Sequence, residues 1–415
     1  MNATATALTA AALVSALLTG CATRASSRGP ARAPALSTSE SFRGAGADSI
    51  ASETIAPGVR LHRLVNVAAP WRAFVLDVDL TACVSVRSVK GASGAEGRRT
   101  TSALLAGLRP EFTPIAAVNA DFFLFAPPGV PTGAHIEDGR LVSGPIARPV
   151  FGMRRDGTPY VGTLTVRATV ASPRGSIAIS SWNRPTRNVP GIVDGVWGVA
   201  LDSTITGLIR VLVPVAGSGD RYVIRAESES ASNVSSSPRS PRVARGDTLF
   251  LIELSAQEQS MRTGDTVGIT RETAPNDIMH AVGGMPVLLR DSAIVGAVDS
   301  VSTASFRGVN PRTAIGIAAG GRRLFMVVID GRQPGYSVGM SLRETASLLR
   351  GLGARDAVNL DGGGSSAMVV AMGAVAMGAV AMGAVASNVV NRPSDAVGER
   401  PVANALAVVK GCARR

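Results

Sequence analysis

The chain has 415 residues, with 42 Lys and Arg against 30 Asp and Glu, a formal net charge of +12. Hydrophobic residues make up 46% and charged residues 17%, the balance of a chain that folds around a core rather than one that stays disordered. Three Cys exclude a disulfide-dense mini-domain, and no apolar run beyond the N-terminus is long enough to span a bilayer, which excludes a polytopic membrane protein.

At the N-terminus Ala11 to Leu18 is a short apolar run, followed by Leu18-Thr19-Gly20-Cys21. This has the form of a lipoprotein signal peptide over residues 1–21, with Cys21 as the lipid attachment point, although no Lys or Arg precedes the run. Ala22 rather than Asp follows the Cys, which favours the outer membrane of the cell envelope, facing the periplasm or the exterior. Residues 22–55 are rich in Ala, Ser, Arg, Gly and Pro and read as a flexible tether. The functional domain is then expected over 56–412.

Phe74 to Val86 alternates apolar and polar residues and predicts one strand, with Cys83 on the same face as Asp77 and Asp79. A Cys83–Cys412 bridge would tie the first strand to the last in an exported protein; two unpaired thiols are the other reading. Thr100 or Thr101 caps a short helix through Leu108, stopped by Pro110. A strand at Ile115 to Val118 then runs into Asn119-Ala120-Asp121-Phe122-Phe123. From about 150 to 295 the chain reads as short strands broken by Gly, Pro and Asp turns, with Glu227 to Arg242 as an exposed loop.

The last third changes character. Leu324 to Ile329 is a continuous apolar run, as expected of a strand covered on both faces, and Asp330-Gly331-Arg332 follows it. Ser341 and Glu344 form a capping box before Leu342, Thr345, Leu348, Leu349 and Leu352 at helical spacing, and Gly353 is a C-cap. The strand Ala357 to Leu360 leads into Asp361-Gly362-Gly363-Gly364-Ser365. Strand, helix and strand within ~35 residues predict a βαβ unit that sets Asp330 and Asp361 side by side on one sheet edge. The expected fold class is therefore α+β: a mixed β-sheet core with a C-terminal βαβ unit and a β-rich middle section. Ala371-Met372-Gly373-Ala374-Val375 is repeated twice more through Val385, a period of five that fits neither helix nor strand and reads as an expanded loop.

The chemistry is narrowed by what is missing. His62, His135 and His280 lack zinc-ligand spacing, no Gly-x-Ser-x-Gly elbow is present, and the Gly run at 362–364 is not closed by Gly-Lys-Ser/Thr. Among the basic residues only Lys90 and Lys410 are Lys, and the Arg are scattered without interleaved aromatics, so no nucleic-acid partner is expected. A basic balance suits an anionic substrate instead, such as a phosphate-bearing glycan. What remains is a set of carboxylates, Arg and Gly. Glycines after a strand end let backbone N–H groups face an anion, with Asp361 before them and Ser365 after them.

Five segments occur in order: Asn119-Ala120-Asp121-Phe122-Phe123; Pro311-Arg312-Thr313-Ala314-Ile315-Gly316; Asp330-Gly331-Arg332; Asn359 to Ser365; and Asn391-Arg392-Pro393-Ser394-Asp395 with Glu399-Arg400-Pro401-Val402-Ala403-Asn404. Together these segments resemble the phosphodiester glycosidase family over about 60 to 410, with weaker echoes at Trp182-Asn183-Arg184-Pro185 and Gly283-Gly284-Met285-Pro286. The resemblance implies hydrolysis of the bond between sugar C1 and a phosphodiester oxygen, on a GlcNAc-1-phosphodiester-like glycan or glycolipid. It implies carboxylate chemistry at Asp361, Asp330 and Asp121. It implies phosphate and sugar contacts from Asn119, Arg312, Arg332, Asn359, Gly362, Gly363, Gly364, Ser365 and Arg400. No cofactor is specified; a divalent cation held by Asp side chains is compatible with the residues but not written in their spacing. The alternative is a catalytically silent, cell-surface glycan-binding lipoprotein on the same scaffold.

Overall fold

A computed structural model describes residues 42, 46–92, 94–108, 110, 112–198, 201, 206–230, 248–253, 261–299, 306–372 and 387–412. The expected lipid attachment at Cys21, most of the expected tether and the repeat from Gly373 to Val385 lie outside the described residues.

The expectation of an α+β fold with a C-terminal βαβ unit is overturned. Among the described residues strands make up 51% and helices 7%, with two α-helices, Thr101–Ala106 and Leu342–Gly351. The strands Arg323–Ile329 and Ala354–Asn359 do run in the same direction, but they are not neighbours. Strand Arg312–Ala318 lies between them and pairs antiparallel with both. It is the first arm of a hairpin turning at Gly320 and Gly321, both at positive φ. A reading that makes consecutive strands adjacent has no way to see that insertion.

Four sheets carry the fold. The first has eight strands, in the order Ser49–Ala56, Val59–Asn66, Trp71–Asp79, Arg323–Ile329, Arg312–Ala318, Ala354–Asn359, Val287–Arg290 and Ala293–Ile294. The second orders Ser387–Val389, Met368–Ala371, Thr113–Asn119, Asn404–Lys410 and Val84–Lys90. Every neighbouring pair in both is antiparallel. Leu61, Leu76, Ile315, Met326 and Val358 of the first sheet pack with Val86, Val118, Met368, Leu406 and Val408 of the second in one core. The outer face of the first sheet is covered by helix Leu342–Gly351 through Leu348 and Leu349, and that of the second by helix Thr101–Ala106 through Leu104 and Leu105. The result is helix, sheet, sheet, helix. The run Leu324 to Ile329 is apolar throughout because both its faces are covered, by a sheet on one side and a helix on the other. No parallel sheet is needed to explain it.

The middle of the chain supplies the other two sheets, of five and eight strands, which share a core that includes Ile136, Leu141, Val170 and Leu251. The capping box at Ser341 and Glu344 is formed, and Thr100 caps the first helix. The expected strand from Phe74 to Val86 is two strands, Trp71–Asp79 and Val84–Lys90, separated by a turn in which Cys83 has φ +54°. Cys83 and Cys412 form a disulfide across that turn.

Candidate active site

Three asparagines at strand ends hold the site together. Asn119 closes strand Thr113–Asn119, and its amide oxygen accepts from Thr313 Oγ1 (2.7 Å) and the Ala367 N–H (3.1 Å) while its Nδ2 donates to the Asp361 carbonyl (2.6 Å). Asn359 closes its own strand and donates to the carbonyls of Met285 and Leu360. Asn404 opens strand Asn404–Lys410; its carbonyl accepts from the Ala120 N–H and its side-chain oxygen from the Asp121 N–H (2.8 Å). The Leu360 N–H donates to Thr313 and the Asp361 N–H to Ala120, so the segment after Asn359 crosses from one sheet to the other. Asp121 and Asp361 are thereby delivered to one place.

Asp121 is 1% exposed. Its Oδ2 accepts from the Gly133 N–H at 2.7 Å, and its Oδ1 has no hydrogen-bond partner. Only glycine fits beside it at two positions, since a Cβ on Gly133 or Gly283 would come within 3.0 Å of the carboxylate. Burial pushes Asp121 up to about 7, against the pull of Gly133, Arg184 and Arg148. Asp361 is also pushed up to about 7, first by burial and further by the negative charge of Asp121; Arg400 pulls the other way. Ser365 lies near enough to Asp361 to favour its charged form, although its Oγ makes no hydrogen bond of good geometry. The charge of Asp121 thus disfavours ionisation of Asp361, and both acids keep their protons to a higher pH than an ordinary carboxylate.

The glycine run lies beside them. Gly363 has φ +64°, and the Arg332 guanidinium lies 3.1 Å from where its Cβ would be. Gly364 lies under the ion pair of Arg400 and Asp395, a bidentate contact at 2.7 and 2.9 Å. Gly362 backs onto the Pro311 carbonyl. Ser365 and Ser366 present buried hydroxyls without hydrogen-bond partners. Arg332 is exposed, its Nε and Nη2 held by Asn310 Oδ1.

Two residues expected at the site have their polar atoms engaged by neighbouring groups. Asp330 accepts from Asn391 Nδ2 (2.8 Å), the Arg392 N–H and the Tyr336 hydroxyl, which makes it the anchor of the Asn391-Arg392 turn. Burial raises its pKa. Arg312 is 2% exposed and donates to the carbonyls of Met340, Phe306 and Gly308. Burial brings it down to about 10, with Arg332 adding to the effect.

Other residues enter that the sequence reading named only within motifs or not at all. Arg184 donates to the carbonyls of Gly144, Pro131 and Gly133, so a half-buried cation stands behind the loop that hydrogen-bonds Asp121. Burial lowers it to about 10, and Asp121 counters. Its signal was the Trp182-Asn183-Arg184-Pro185 echo. His135, fully buried, lies with Nδ1 3.1 Å from Asn404 Nδ2. Since Asn404 Oδ1 is occupied by the Asp121 N–H, its amide can only donate to His135, which must be neutral with the lone pair on Nδ1. Burial lowers the His135 pKa, in keeping with this. Nothing around His135 in the sequence pointed to that contact.

Two open clefts flank this region. One of about 510 Å³ is lined by Gln333, Asn391, Arg392, Asp395 and Glu399. One of about 660 Å³ is lined by Gly94, Glu96, Arg98, Pro128 and Pro401. Neither is lined by Asp121, which is buried, or by Asp361, which is half-buried. Among the described residues no group of three or more His, Cys, Asp or Glu is placed to hold a metal ion.

The fold recurs among solved structures. A hypothetical protein from Synechocystis aligns with a TM-score of 0.68 at 20% identity over 88% of this chain; the chain spans 64% of that protein. A suspected exported protein from Burkholderia pseudomallei aligns with a TM-score of 0.60 at 26% identity, over 83% of this chain and 75% of its own. The catalytic domain of zebrafish N-acetylglucosamine-1-phosphodiester alpha-N-acetylglucosaminidase aligns at 17% identity over 87% of this chain and 84% of its own, with a TM-score of 0.43, too loose to argue from. No curated protein matches. Residues 216–409, which hold the last four of the five motif segments, match the model of the phosphodiester glycosidase family, the family the motifs resemble.

Proposed function

We propose that this protein hydrolyses the bond between sugar C1 and a phosphodiester oxygen, with Asp361 and Asp121 as its carboxylate pair. The observation that supports the reading is that pair: Asp121, buried, and Asp361, half-buried, both pushed up to about 7, with Asp361 inside the stretch that matches the family model. In the reaction the C1–O bond breaks and its electron pair leaves with the phosphate, while a water oxygen bonds to C1. The departing phosphomonoester is the anion of a strong acid and asks for positive charge more than for a proton. Arg332 and Arg400 beside the glycine run supply it. The sugar passes through an oxocarbenium-like state, which an ionised carboxylate stabilises or supplies with a deprotonated water. Asp361, nearer Arg400 and following the Asn359 strand, takes that role; Asp121, the more deeply buried of the two, stays protonated. Arg312 and Asp330 act as braces under the loops that bear Arg332 and Arg392.

Export belongs to the same proposal. The Cys83–Cys412 disulfide suits an oxidising compartment, and the Burkholderia neighbour is itself a suspected exported protein. Attachment to the outer membrane through Cys21 follows from the Leu18–Cys21 segment and is tested by Cys21→Ser, which should release the protein from the membrane fraction.

The activity is tested with a methyl diester of GlcNAc 1-phosphate in ¹⁸O-water. The expected products are free GlcNAc labelled at C1 and unlabelled methyl phosphate. Label in the phosphate would mean cleavage at phosphorus. Saturable binding of the diester with no products would favour the silent glycan-binding alternative.

A further inference from the structure

The larger of the two clefts opens at the same sheet edge as the carboxylate pair. In the second sheet Lys90 pairs with Asn404, and Asn119 with Ala405, so the loop after Lys90 and the hairpin after Asn119 leave the sheet at one level. The hairpin is rooted on the site: the Thr132 N–H donates to Phe122 and the Gly133 N–H to Asp121. Its tip folds over the neighbouring loop, where the Gly97 N–H donates to Pro128. Pro401, next to Arg400, closes the cleft on the third side.

The cleft is built rather than incidental. Lys90, 8% exposed and brought down to about 8 by burial, donates to the carbonyls of Glu96 and Gly97 and pins that wall from below. Above it the hairpin spends apolar surface on solvent: Phe125 is 71% exposed and Leu124 38%. Phe123 and Phe125 pack at 5.4 Å between ring centroids, and the Arg98 guanidinium lies 5.8 and 5.7 Å from them. An exposed aromatic and a leucine beside a cation, on a loop rooted at a buried acid, fit a ligand that is anionic at one end and apolar beyond it.

Resting on the glycosidase reading, we propose that this cleft, lined by Arg98, Glu96, Pro128 and Pro401, is the leaving-group subsite and takes an apolar chain carried on the scissile phosphate, with Arg98 beside the phosphate and Phe125, stacked near Arg98, at the rim where the chain emerges. The substrate class is thus a sugar 1-phosphodiester whose other ester is an alkyl chain.

The test compares methyl and hexyl diesters of GlcNAc 1-phosphate, with hexyl phosphate and methyl phosphate as binding probes by calorimetry. Wild type should hydrolyse the hexyl diester with kcat/KM at least about tenfold above the methyl diester, and bind hexyl phosphate correspondingly tighter, since each buried methylene is worth several-fold. Phe125→Ser, at an exposed position, should erase both preferences and leave turnover of the methyl diester unchanged. Equal rates for the two diesters, or a hexyl preference that survives Phe125→Ser, would overturn the subsite. So would a nucleoside diester preferred over the hexyl diester. Hexyl phosphate binding that depends on Phe125, with neither diester hydrolysed, would uphold the subsite and overturn the glycosidase reading.

Discussion

The Asn119 side-chain amide donates to the Asp361 carbonyl at 2.6 Å, so the residue that ends a strand of one sheet fixes the backbone of the acid that follows a strand of the other. The same side chain accepts from Thr313 and Ala367, which makes it the pin on which the two sheets meet at the site. Asn119→Ala would leave three buried polar groups without a partner. The expected cost is about 3 kcal/mol of stability, read by urea denaturation, together with a fall in kcat larger than any change in KM.

The Asp pair makes stability depend on pH with a defined sign. Both folded-state pKa values are raised from 3.8 to about 7, so between those values the folded state holds more protons than the unfolded state. Stability from this source is complete below about pH 4 and is lost as pH rises through about 7. Asp121→Asn should flatten that loss and make the protein more stable than wild type at pH 8, measured as a higher Tm. An unchanged Tm at pH 8 would mean that the carboxylate is not held against its own charge.

Activity should follow the protonation of Asp121 and Asp361. One acid must be ionised and the other protonated, so kcat/KM should trace a bell that falls on the alkaline side as the pair loses its last proton. His135→Phe removes the acceptor that orients the Asn404 amide, and through it the Asp121 N–H. It should lower kcat by about tenfold and shift the alkaline limb of the profile, whereas a purely structural loss would lower the amplitude and leave the limb in place.

The disulfide can be tested directly. Cys83 and Cys412 are 329 residues apart, and their bridge closes the turn between two strands onto the end of the last strand. Replacing both with Ser should cost about 2–5 kcal/mol and leave sugar release at 25 °C close to wild type, since neither Cys approaches the carboxylate pair.

Much of the site was legible because its residues stand at strand ends, where hydrophobic runs stop. Asn119, Asn359 and Asp361 follow runs whose apolar character alone marks them as buried strands. The capping box at Ser341 and Glu344 was legible for the same local reason. The strand order was not, because the insertion of Arg312–Ala318 between Arg323–Ile329 and Ala354–Asn359 depends on long-range pairing that leaves no mark on either run. Asp330 looked catalytic because Asp-Gly-Arg after a buried strand has the composition of Asp361 and its glycines. The structure shows its partners to be Asn391, Arg392 and Tyr336, which no local pattern reveals. Arg184 and His135 reach the site from the middle of the chain, and only three-dimensional proximity brings them there.

The central claim is that Asp361 is the carboxylate on which sugar release depends. Its most direct test is the rate of GlcNAc release from the methyl diester of GlcNAc 1-phosphate by wild type and by Asp361→Asn, with matching circular dichroism spectra to show that the fold is kept. Release should fall by at least ~100-fold, about 2.7 kcal/mol of barrier. Full turnover by a folded Asp361→Asn variant would contradict the account and leave Asp361 as an acid that only shapes the turn between two sheets.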